Sequence, residues 1–472
     1  MTTARDNRRV KAAHDDERVT AARENARTEH TRSATERAAG IDGADVLERL
    51  LRGAWRDPDS GAFADPPPVS VAIEQSLAGR EAPLVDSLRL GRRLAVVSDA
   101  TTYEVMGRRV ERALQTLGPL QPIVIERDPH ADQAGVGRLR QATRDADALI
   151  AVGSGTINDL CKFAAAQDGK PYAVFATAPS MNGYTSTNAA ITVDGHKKTL
   201  AAISARGVFM DLRVLCAAPQ RMIRAGLGDS VCRSTAQADW LLSHLLLGTP
   251  YRRAPFDLLA PDEAALLDSA DALVNGDVDA MRRLACTLVL SGLGMAMCGG
   301  SHPASQGEHL ISHYIDMCAP PSRAGFFHGE QVAVATLTMA GLQQAMLERG
   351  PPTLRALSID RAELSGRMGE ELAQACWDEF RAKRFATDAL PALNARISDH
   401  WDEWVAQLRS NMLPAARLEA ALRRAGAPAL CADIDLSSTF YAEAVSNARF
   451  TRNRYTFLDL VADTGQLDLI GH

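Results

Sequence analysis

The 472-residue sequence contains no uninterrupted apolar run of about 18 residues or more, so no helix is expected to span a membrane. Cysteine is sparse and scattered. Its eight copies (161, 216, 232, 286, 298, 318, 376 and 431) include no C-x-x-C pair, which excludes a disulfide framework and a thiolate zinc cluster and leaves reduced, mostly buried thiols. An excess of one charge is also missing. The 52 basic and 58 acidic side chains leave a formal net charge of −6, which gives no bulk attraction for nucleic acid or an anionic membrane. The opening MTTARDNRRVKAAHDDER lacks the apolar stretch of a secretory signal. With 46% hydrophobic and 23% charged residues, the composition is that of a globular protein rather than a fibrous or disordered one. These absences together set the expectation of a soluble cytoplasmic protein that binds neither membrane nor nucleic acid.

What is present falls into blocks. Residues 1–40 are rich in Arg, Asp, Glu, Thr and Ala and hold almost no large apolar side chain, so they cannot bury enough surface to repay ordering. ADVLERLLRG (44–53) is a first amphipathic helical turn, and ADPPPVS (64–70) an extended linker. The runs LAVVSD (94–99), PIVIE (122–126), ALIAVG (148–153) and PYAVFA (171–176) then alternate with helical stretches, the pattern of βαβ units and a parallel sheet. Beyond about residue 215 apolar residues recur at helical spacing. The expected organisation is a disordered or helical extension (1–60), an α/β dinucleotide-binding domain (61–215) and an all-α metal-binding catalytic domain (216–472).

In A-L-I-A-V-G-S-G-T-I-N-D-L (148–160), a strand runs through Gly153, Ser154, Gly155 and Thr156 directly into a helix. Such a turn lets a ligand approach the main chain and offers it unpaired helix N–H groups, a fit for pyrophosphate; it equally describes a plain tight turn. Asp99 ends the first strand, where it could accept from a ribose hydroxyl or cap the next helix. Thr177 to Ser180 place small hydroxyl residues after a later strand, where ligands of open α/β sheets gather.

G-S-H-P-A-S-Q-G-E-H-L-I-S-H-Y (300–314) puts His309 and His313 on one helical face. F-F-H-G-E-Q supplies His328, and A-G-L-G-D-S supplies Asp229. One carboxylate and two imidazoles with an open fourth position suit a catalytic zinc-like ion, although a histidine pair at this spacing also occurs as a polar or hydrogen-bonded face.

The succession V-G-S-G-T-x-x-D, T-A-P-S-M-N-G-Y-T-S, A-G-L-G-D, E-H-L-I-S-H-Y and H-G-E-Q-V, closing with A-R-F-T-R-N-R-Y-T-F-L-D-L (448–460), resembles the sn-glycerol-1-phosphate dehydrogenase family. That family sits within the iron-containing alcohol dehydrogenase and dehydroquinate synthase-like superfamily. The resemblance covers roughly residues 80–465. It implies that Gly153 to Thr156 hold the NAD(P) pyrophosphate, that Thr177, Ser180 and Ser186 line the nicotinamide side, and that Asp229, His309 and His328 bind one divalent ion, with zinc foremost and nickel or iron as alternatives. His313 would face the substrate. The implied reaction is NAD(P)H reduction of dihydroxyacetone phosphate to sn-glycerol 1-phosphate, or of a related ketone or aldehyde, by a homo-oligomeric enzyme acting on a small phosphorylated or polyol-type substrate. Arg452, Arg454 and Lys162 would supply cations for the phosphate.

One position departs from the pattern. The family reads S-x-D-G, whereas this chain has Ser180-Met181-Asn182-Gly183. Asn182 keeps the size of the aspartate without its charge, so a changed substrate, or a proton relay carried wholly by His313, is expected. Two rival readings share the motifs: a sugar-phosphate cyclase resembling dehydroquinate synthase, and a non-catalytic binding homologue.

Overall fold

Apolar strands of four to six residues, buried on both faces, are the sequence form of a parallel sheet covered by helices. The computed structural model, which describes residues 42–125, 129–193, 196–319, 325–356 and 359–470, contains such a sheet. Its strands are β1 (Ser70–Glu74), β2 (Leu94–Asp99), β3 (Leu120–Ile125), β4 (Ala148–Gly153), β5 (Tyr172–Ala176) and β8 (Gly207–Asp211), all parallel, in the order β1-β8-β5-β4-β2-β3. Every residue of β4, β5 and β8 is buried. A separate antiparallel hairpin, β6 (Asn188–Val193) with β7 (His196–Ala201), stands beside the sheet. The 1–41 part of the expected extension lies outside the described residues; from Asp42 the chain forms a helix, Gly43–Leu51, whose N-terminus Asp42 caps.

The strand order places the site. From β2 the chain moves to β3 on one side and then to β4 on the other, so the connections leave β2 and β4 in opposite directions. A crevice opens at the carboxyl ends of such a pair, here just beyond Asp99 and Gly153.

Among the described residues only helices follow Asp211. The central one, Val278–Met297, is long and apolar enough to match a membrane span, but 78% of its apolar window is buried in the protein. Its Leu284, Leu288 and Leu293 join Val97 and Val174 of the sheet and Leu422 near the C-terminus in one apolar cluster, so the two halves share a core. A second cluster holds the C-terminal helices together around Tyr314, Trp401, Trp404 and Phe457.

Two further helices, α1 (Gln220–Ser230) and α2 (His328–Glu348), meet along their main chains. A Cβ on Gly228 would fall 2.1 Å from the Gly329 carbonyl oxygen, and one on Gly329 would fall 1.8 Å from that of Ala225. Gly341, later in α2, has nothing within 4 Å of its Cβ position. Gly228→Ala is therefore expected to destabilise the protein by about 1–3 kcal/mol in urea unfolding, because the helices must separate. Gly341→Ala in the same experiment should be neutral or stabilising by up to about 1 kcal/mol, through helix propensity alone.

Candidate active site

The crevice continues into a cleft of about 440 Å³ between the sheet and the helices. On its sheet side, β4 passes through Gly153 and Ser154 into α3 (Gly155–Asp168). Ser154 occupies the N-cap without a side-chain cap hydrogen bond, so its hydroxyl does not compete for the first helical N–H groups. Gly153 is required for packing: a Cβ there would sit 2.6 Å from Cβ of Ile157. At Gly155 a Cβ would meet the Met181 side chain, with its sulfur nearest at 3.1 Å. Ser154, Gly155 and Thr156 line the cleft.

The loop after β5 forms the next wall, through Ser180, Met181, Asn182, Gly183 and Ser186. Thr177 is buried behind it, its amide donating to the Gly153 carbonyl at 3.1 Å, and is not part of the cleft lining. Asp99 is not part of it either; its Oδ1 accepts from the Thr101 and Thr102 amides, each at 2.8 Å, in a helix cap. Lys162, expected to face a substrate phosphate, is instead fully buried. Its Nζ donates to the Gly183 and Asn188 carbonyls and to Ser186 Oγ, which pins the loop from behind, and burial pulls its ammonium down to about 8.

The helical side carries the histidines. Asp229 is the penultimate residue of α1, His309 and His313 lie one turn apart on α4 (Gly307–Cys318), and His328 opens α2. Donor atoms of Asp229, His309 and His328 all lie within 4.8 Å of one another. Asp229 Oδ2 accepts the Asn182 amide at 2.7 Å, while its buried Oδ1 has no hydrogen-bond partner and lies 3.5 Å from His309 Nε2. Burial works to raise the Asp229 carboxyl, but the close His309 and His328 imidazoles and the Asn182 amide bring it below the usual range. A buried carboxylate oxygen facing two imidazole nitrogens is a donor set that a divalent cation would satisfy.

Each imidazole is held from its other side. His309 Nδ1 pairs with Glu308 Oε1 at 2.9 Å, directing Nε2 toward Asp229, and Ser312 Oγ stands 3.2 Å from His328 Nδ1. Such partners orient ligands and raise their basicity. Glu308 is not among the residues expected from the sequence, although its signal, an acidic residue directly before His309, is present in E-H-L-I-S-H. His313 lines the cleft with its ring 6.3 Å from that of His309 and 5.9 Å from that of His328, outside the donor trio. Arg452 donates to Thr199 Oγ1 at 2.8 Å and Arg454 to Ser301 Oγ at 2.7 Å; both acceptors line the cleft, so the two guanidinium groups stand immediately behind its wall.

Known proteins resemble this chain in sequence and in fold. The profile of the iron-containing alcohol dehydrogenase family matches residues 72–219. Glycerol-1-phosphate dehydrogenase [NAD(P)+] of Bacillus licheniformis is 29% identical over 84% of this chain and 89% of its own length. The Bacillus subtilis enzyme of the same name is 33% identical over 57% of this chain and 71% of its own. This chain belongs to the glycerol-1-phosphate dehydrogenase family. It is accordingly an oxidoreductase. A probable glycerol dehydrogenase from Sinorhizobium meliloti has the same fold, with a TM-score of 0.55 at 18% identity over 85% of this chain and 97% of that one.

Removing one of three donors leaves too few to retain an ion, so His309→Ala should lose stoichiometric metal on dialysis, read by elemental analysis. His313→Ala should keep the metal and lose activity. Glu308→Gln should weaken metal affinity by about 10- to 100-fold, as the loss of an orienting partner does.

Proposed function

We propose that this protein reduces the ketone of dihydroxyacetone phosphate with NAD(P)H to give sn-glycerol 1-phosphate, using one divalent ion held by Asp229, His309 and His328. The observation that carries the reading is one cleft bounded both by the turn at 154–156 and by that donor trio. Relatives named as glycerol-1-phosphate dehydrogenases support it. One carboxylate and two imidazoles accept zinc, nickel or iron, with zinc the best match to the set. When bound, the ion supplies Lewis-acid stabilisation of charge on the substrate oxygen, and the nicotinamide supplies hydride.

The remaining work falls to the chain. The uncapped start of α3 binds the cofactor pyrophosphate through main-chain N–H groups. His313, beside the donor trio, delivers the proton to the new hydroxyl oxygen. Arg452 and Arg454 bias the wall carrying Thr199, Ser301 and Ser305 toward the substrate phosphate. Asn182 is held by its amide on Asp229, and its carboxamide nitrogen is buried in the cleft wall with no hydrogen-bond partner. It is a donor placed for a substrate acceptor, since leaving it unmet costs about 1–3 kcal/mol.

The test is NADH and NADPH consumption with dihydroxyacetone phosphate, with and without added zinc, nickel or iron, and chiral analysis of the product. Metal-dependent oxidation of the nicotinamide yielding sn-glycerol 1-phosphate is expected; no net oxidation with any of the metals overturns the assignment. In the same assay Asn182→Ala should lower kcat/KM by about tenfold or more, in keeping with one lost buried hydrogen bond. An unchanged kcat/KM would remove Asn182 from substrate recognition.

A further inference from the structure

His328 is the least buried member of the donor trio and the first residue of its helix, so its place depends on the peptide leading into α2. One side chain governs that peptide. Arg221, on α1 two turns before Asp229, meets Glu330 of α2 in a bidentate pair, Nε to Oε1 at 2.6 Å and Nη2 to Oε2 at 2.8 Å. The same Nη2 donates to the Gly325 carbonyl at 2.8 Å, and the guanidinium carbon lies 4.9 Å from the ring centres of both Phe326 and Phe327. Glu330 Oε2 also accepts the Phe327 amide at 2.7 Å. Glu330 is buried, so its carboxylate is costly without this partner.

Arg221 thus grips the residues on both sides of His328 from the helix that carries Asp229. We propose that the Arg221–Glu330 pair is a positioning device that fixes His328 against Asp229 and sets how long the cleft retains its divalent ion. The planar fork of arginine is essential to it, because one group must satisfy a carboxylate and a carbonyl while stacking on two rings. The proposal rests on the reading of Asp229, His309 and His328 as a cation site.

The experiment measures zinc release from the zinc-loaded full-length protein to a chromogenic chelator, beside the thermal midpoint of the metal-free protein. Arg221→Gln and Glu330→Gln should each speed release by about 10- to 100-fold, the range seen when an orienting partner of a ligand is lost. The double variant should be no faster than the quicker single one, since both remove one coupled interaction. Arg221→Lys should fall between wild type and Arg221→Gln. Wild-type release from Arg221→Gln, or loss confined to the metal-free thermal midpoint, overturns the proposal and leaves the pair a structural tie. If wild type and His309→Ala hold zinc equally, the cation site itself is refuted, and the positioning role with it.

Discussion

The cleft depends on main chains touching where side chains would ordinarily keep them apart. A Cβ on Gly226 would fall 1.6 Å from the Pro179 carbonyl oxygen, and Gly228 and Gly329 are equally closed by neighbouring main chain. These contacts join three pieces: the loop after β5, the helix carrying Asp229 and the helix opened by His328. Only at that separation can the Asn182 amide reach Asp229 Oδ2 at 2.7 Å and the histidine rings stand 5.0 to 6.3 Å apart. The A-G-L-G-D and H-G-E segments thus serve geometry first. Their glycines set the distance, and the charged residues beside them use it.

Buried carboxylates complete the assembly on the helical side. Asp239 is fully buried and accepts the Gly307 and Phe457 amides, each at 2.9 Å, so it ties the start of the His309-bearing helix to the helix beginning at Phe457. Burial, reinforced by the nearby Glu308, pushes its carboxyl up to about 8. Glu308 takes the Gln306 amide and His309 Nδ1 on the same oxygen. The C-terminal segment returns through Arg454 to Ser301 on the cleft wall. Residues more than 150 positions apart therefore share one polar layer.

The elements named from sequence were those whose signal is local. Four strands were visible as apolar runs, and the turn at Gly153 to Thr156 was visible because glycine and small hydroxyl residues interrupt one such run. The strands β1 and β8 were missed: SVAIE follows a proline-rich stretch, and GVFMD becomes a strand through its place between β1 and β5, partners far from it in sequence. Strand β6 of the hairpin buries only Ala189 and Ile191, so it offers no continuous apolar run.

The same division runs through the site. The sequence by itself determined the residue types: a carboxylate after two glycines, two histidines four apart on a helix and a third opening another, because the chemistry of a cation site is written in side chains and short spacings. Tertiary structure alone decided which groups face the cleft. Lys162 looked like a phosphate ligand but is spent on three acceptors behind the loop, and Asp99 is spent on a helix cap. Arg221 carried no distinctive pattern and Glu308 only its place directly before His309, yet they hold the histidines in place. A side chain's partner comes from another part of the chain, and long-range packing, not local sequence, sets which one it meets.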